Sequence, residues 1–354
     1  MGSKPIPKPV LSTDRVSRRQ ILKSSLIGLG SLAAAVGGLA PLEILGAASP
    51  GTGSWRQVFP GSTPSPRIGA AVAYDAGRKM PVLFGGDWAD SGTWAWNGLA
   101  WNRLTPSVSP PARTGASCAY HPPTDTVVLF GGLGTEGRLL GDTWLWNGVT
   151  WTQAPGGARP RARESASMAF DPVSGGLILF GGASPVNLNS PFNDTWMWNG
   201  GSWIQLSPRS SPLARFGTSL AYNSTMSRLI LFGGKRSPMG VPEPLATWAW
   251  DGMNWSEISV GPLPPWRLDA SMAAAGGGVL LFGGFSFDIP PSPSYLGDTW
   301  TLGTTWSEVI QTPSPAPREG ASLVPDPPRN SLLLFGGASG PGRLANDTWV
   351  WELS

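Results

Sequence analysis

Val128-Leu-Phe-Gly-Gly132, Asp142-Thr-Trp-Leu-Trp146 and Asn147-Gly-Val-Thr-Trp151 follow one another in the chain, and together they decide its fold. The first segment is a short apolar run closed by two glycines. The second alternates Thr and Trp, and the third places Asn-Gly before another Trp. Short β-branched and aromatic runs bounded by turn residues read as strands, and Asn-Gly between two such runs is a strong hairpin signal. Upstream, Arg113 opens a further alternating run through Tyr120.

The same unit returns about every 50 residues. Its apolar-Phe-Gly-Gly marker ends at Gly86, Gly132, Gly182, Gly234, Gly284 and Gly337. Six units of four strands, called a to d here, predict an all-β, six-bladed β-propeller of four-stranded antiparallel blades. The last unit stops after Trp349-Val-Trp351 without a strand d. Ser54-Trp55-Arg56-Gln57-Val58 matches the missing strand and is predicted to complete the sixth blade. The fifth unit has Leu302 for its second Trp, and the first and fourth carry Gly92 and Ala246 where the others have Asp before Thr-Trp.

The double Gly followed by a spaced aromatic and a Trp, as in Gly131-Gly132, Trp144 and Trp151, resembles the Kelch repeat family. The resemblance spans roughly residues 54–354. Some Kelch propellers are copper oxidases and others are sugar mutarotases or epimerases. A copper site needs more histidine than His121, the only one in the chain. No metal, cofactor or catalytic residue is therefore assigned. His121 is read as a turn residue equivalent to Asp75, Asp171 and Asn223, and the single Cys118 as a structural thiol in an apolar run.

Residues 1–48 read as a separate address. Ser17-Arg18-Arg19 followed by Ile21-Leu22 and Lys23 resembles a twin-arginine (Tat) export signal. A Gly/Ala-rich apolar stretch and the small residues Gly46-Ala47-Ala48 follow, with cleavage expected near Ala47/Ala48. The expected location is extracytoplasmic (periplasmic, cell-surface or secreted), with a membrane tether if the signal stays uncleaved, and the Tat translocase is the partner during export. The chain carries 25 Lys and Arg against 22 Asp and Glu. Six of the basic residues and only Asp14 and Glu43 lie in this segment, so residues 49–354, the propeller domain, are near neutral. That balance gives no nucleic-acid footprint.

Antiparallel strands put the d–a and b–c loops on one face and the short a–b and c–d turns on the other. The b–c loops 183–193, 235–246, 285–297 and 338–346 vary most, and variable loops on a rigid scaffold carry function. Arg67, Arg113, Arg163, Arg215, Arg267 and Arg318 recur at the entrance to strand a. They suit an anionic ligand, because guanidinium groups bind carboxylate bidentately. They equally suit pairing with Asp142, Asp194, Asp298 and Asp347 before strand c. Trp88 and Trp266 fall outside the repeat positions on the same face. The six arginines and these two tryptophans form the candidate ligand set. The expected function is a monomeric extracytoplasmic binding or scaffold protein for a protein or glycan partner. The alternative is an exported sugar-modifying enzyme using Glu164, Asp269 or Glu319 beside the arginines.

Overall fold

The computed structural model describes residues 53–184, 191–236, 246–287 and 294–354. The expected export signal, and the central parts of three of the variable b–c loops, lie outside the described residues. The rest forms six sheets of four antiparallel strands, as the repeat predicts. The first blade runs Ala71–Asp75, Met80–Phe84, Thr93–Trp96 and Trp101–Leu104, and the others follow in chain order. The sixth blade is Ser322–Asp326, Ser331–Phe335 and Thr348–Leu353, closed by Gly53–Val58. Trp55 pairs with Trp351 across this junction, so the expected closure is formed. The closing strand covers the edge that Thr348–Leu353 would otherwise expose.

The repeated residues are repeated because each makes the same contact with the neighbouring blade. The strand-d Trp reaches back one blade and donates its indole N–H to the Thr that opens strand c. The pairs are Trp151–Thr93, Trp203–Thr143, Trp255–Thr195, Trp306–Thr247, Trp55–Thr299 and Trp101–Thr348, at 2.8–3.2 Å. The same indole packs on the Phe of that blade's Phe-Gly-Gly, with centroids 5.2–5.5 Å apart. Such tilted aromatic pairs add about 1 kcal/mol each beyond area burial.

The paired glycines have a steric cause. At Gly85 φ is +72°, and a Cβ would lie 2.3 Å from the Arg113 carbonyl oxygen of the next blade. Gly86 N–H donates to that same carbonyl at 2.9 Å, a bond repeated at every blade junction. Only a residue without a side chain permits this approach.

Strands a line a central channel with small side chains, enclosing about 170 Å³ between Ala71, Ser117, Ser167, Ser219, Ser271 and Ser322. Each of these serines donates to a carbonyl of the following blade, as Ser117 does to Ala166. The channel is thus narrow and already hydrogen-bonded within itself. Among the described residues the fifth blade extends furthest on the loop face. Its hairpin Gly278–Ser286/Ser294–Leu302 continues past the glycines, through Phe285 paired with Tyr295 to Ser286 paired with Ser294.

Candidate functional site

The mouth of the channel is built by the residues that follow each strand-entrance arginine. Two positions after the arginine, the backbone turns into the left-handed region in all six blades, at Gly69, Gly115, Ser165, Gly217, Asp269 and Gly320. Their amides form a closed circle: each N–H donates to the carbonyl of its counterpart in the preceding blade at 2.8–2.9 Å. This ring was not anticipated from the sequence. Its legible trace is Asp269, with φ +50°, where four of the six blades carry Gly. Non-glycine residues held in this region store strain, and such strain gathers at functional sites.

Three carboxyl groups surround the ring. The Asp269 carboxyl lies against Gly217 of the fourth blade, where a Cβ would meet its Oδ1 at 2.8 Å. Glu164 folds over Gly115 of the second blade, and Glu319 enters from the sixth blade just before Gly320. All three are half-buried. Burial pushes Asp269 up to about 6. Burial, then the charge of Asp269, pushes Glu319 up to about 7 and raises Glu164 as well. Among the described residues no side chain forms an ion pair or hydrogen bond with any of the three carboxylates.

The arginines stand behind this ring and face away from it. All six are between 0% and 4% exposed. Arg113, Arg163, Arg267 and Arg318 each grip the Asp before strand c through both terminal nitrogens: Asp142, Asp194, Asp298 and Asp347. Each of those aspartates also accepts an indole N–H from the next Trp at 2.7–2.8 Å. Burial alone would raise their pKa values, but the hydrogen bonds and charge of the arginine hold them below the usual carboxylate range. In the first blade Asp90 takes the place that Gly92 leaves open and meets Arg67 at 3.1 Å. In the fourth, Ala246 offers no carboxylate, and among the described residues the buried Nε1 of Trp248 has no hydrogen-bond partner. Arg215 there bonds the carbonyls of Leu213 and Gly233. The arginine collar therefore fastens the b–c loops to the blades, the second of the two roles its spacing allowed.

The two non-repeat tryptophans part company. Trp266 is 7% exposed and donates its indole N–H to the Gly234 carbonyl at 3.1 Å, so it belongs to the interior. Trp88 is 48% exposed on the loop face. On the opposite face, His121 is fully buried and its Nδ1 meets Thr124 Oγ1 at 2.8 Å, the turn role its position implies. Cys118 is half-buried, and burial pushes its thiol up. Among the described residues no group of three His, Cys, Asp or Glu could hold a metal ion.

Known proteins locate the fold more firmly than the function. The structure matches the solved structure of YjhT with a TM-score of 0.63 at 14% identity, covering 81% of this chain and 95% of that one. At that identity the likeness shows the propeller fold alone. The tRNA wybutosine-synthesizing protein 4 of Emericella nidulans is 33% identical over 35% of this chain and 12% of its own length. Putative adagio-like protein 2 of Oryza sativa subsp. japonica is 32% identical over 48% of this chain and 28% of its own. The chain thus matches only a minor part of either curated relative. No family model matches.

Proposed function

We propose that the chain is an extracytoplasmic binding protein of Kelch type, exported through its Tat-like leader, that receives a protein or glycan partner on the b–c/d–a face. The observation that carries this reading is the channel mouth. Among the described residues, Glu164, Asp269 and Glu319 remain half-buried there without a donor, while the arginines behind them are engaged. Leaving carboxylates unmatched costs stability, and a fold otherwise so regular in its pairing keeps such a cost where a ligand repays it. The anionic ligand that an open arginine collar would favour fits this mouth poorly.

The reading is tested by screening the full chain against a glycan array and an extracytoplasmic protein extract. Trp88→Ala and Glu319→Gln should abolish capture. Leu99→Ser and Met253→Ser, at exposed turn tips on the opposite face, should leave it intact. Capture lost only through the turn tips would overturn the reading. One observation favours the sugar-modifying enzyme as a second reading: Asp269 and Glu319 have pKa values raised toward neutrality, as acid–base catalysis requires. The arginine partners it called for are not at hand, because Arg163 and Arg318 are turned to Asp194 and Asp347.

A further inference from the structure

An aromatic wall rises beside two of the mouth carboxylates. Phe285 lies between two strands: its backbone exchanges hydrogen bonds with Leu268, the residue before Asp269, and it pairs in register with Tyr295. The Phe285 and Tyr295 rings meet edge to face at 5.1 Å, and Phe287 extends the wall outward at 5.0 Å from Phe285, 40% exposed. Leu296, next to Tyr295, accepts the backbone N–H of Arg318, which brings Tyr295 beside Glu319. The half-buried Tyr295 is raised above its ordinary pKa by burial and then by the charge of Glu319. The wall and the Asp269–Glu319 pair therefore form one surface between the fifth and sixth blades.

We propose that this surface docks a basic polypeptide segment, seating a lysine or arginine side chain between the Asp269 and Glu319 carboxylates and the Phe285–Tyr295 wall. The inference rests on the binding role proposed above and names the partner's chemistry. Charge complementarity carries it: among the described residues the carboxylates have no cation of their own, and aromatic faces attract ammonium and guanidinium groups. The fold already lays one ammonium on this wall, since Lys235 Nζ stands 4.0 Å from the Phe287 ring centroid. Glu164 offers a third carboxylate from the third blade, so a chain bearing several cations fits better than a single free amine.

The test is calorimetric titration of the full chain with a lysine-rich octapeptide, its fully side-chain-acetylated counterpart and spermidine. Glu319→Gln, Asp269→Asn and Tyr295→Phe are the site variants. Glu308→Gln, an exposed carboxylate on strand d, controls for general surface charge. Thermal melting confirms that each variant is folded. The octapeptide should bind at low salt, and Glu319→Gln and Asp269→Asn should each weaken it about tenfold, with Glu308→Gln unchanged. Equal binding of the acetylated peptide, equal loss in Glu308→Gln, or no binding at all would overturn the proposal. Spermidine binding as tightly as the octapeptide would overturn the polypeptide source. Capture of a neutral glycan or protein through the same face would leave the binding role standing and remove the cation.

Discussion

Strand a ends in acidic residues on both faces of the ring, and the two ends behave differently. At the turn end, Asp75, Asp171 and Asp326 are 0–1% exposed and each accepts from a donor, although Asp75 does so through Oδ1 alone. Asp171 caps its turn at the Val173 and Ser174 amides and accepts the Trp250 indole N–H of the next blade at 3.3 Å. Asp75 and Asp326 hold Arg78 and Arg329 three residues on. At the mouth end, Asp269 and Glu319 are half-buried and have no donor among the described residues. Burial raises the pKa at both ends, Asp75 and Asp326 included. A raised pKa therefore does not separate a structural carboxylate from a candidate site. The partner list does, because a buried acid with donors is framework and one without them is held in reserve.

The largest effect should come from the framework behind the mouth. Arg163→Ala leaves Asp194 with its charge uncompensated and should cost about 3–5 kcal/mol in denaturant unfolding. A loss below about 1 kcal/mol would mean that the collar is not what secures the b–c loops. The comparison itself turns on Asp171→Ala against Asp269→Asn. The first removes two turn bonds and an inter-blade bond, and should cost about 2 kcal/mol. The second should stabilise the protein at pH 8 by on the order of 1 kcal/mol, allowing for partial exposure.

The sign follows from linkage. The folded pKa of Asp269, about 6, lies above the ordinary 3.8, so the fold holds the proton more tightly than the unfolded chain does. Charging Asp269 costs stability in full above about pH 6, and the cost fades as the pH falls to about 4. The advantage of Asp269→Asn should shrink over that window, as unfolding curves at pH 8, 6 and 4 will show. Equal destabilisation by the two substitutions would erase the distinction between the ends. The smallest effect belongs to Ala246→Asp, which gives the buried Trp248 Nε1 an acceptor and should add about 1 kcal/mol to the melting free energy. A loss instead would show that the fourth blade closes by other means.

The blade count, the strand order and the closure by Ser54–Val58 were legible because each repeated residue does one local or nearest-neighbour job. Phe-Gly-Gly, Thr-Trp-x-Trp and Asn-Gly-x-x-Trp therefore keep their spacing in the sequence. The arginines were legible as a set but not in direction. Guanidiniums at the strand entrance could point into the channel or back into the blade, and only the placement of Asp142, Asp194, Asp298 and Asp347 resolves which. Trp88 and Trp266 looked alike as non-repeat tryptophans, and the extended fifth hairpin buried one and not the other.

By itself the sequence determined the ring: six units, four strands each, and a strand borrowed from the start of the domain. The tertiary structure decided the site. Asp269 and Glu319 sit fifty residues apart in neighbouring repeats, and Asp269 and Glu164 about a hundred apart, two repeats removed. Their meeting at one mouth depends on how blades are arranged around an axis, which no spacing within a single repeat encodes. Whether a carboxylate there finds a donor or is left without one depends on the direction of its neighbours, fixed only when the ring closes.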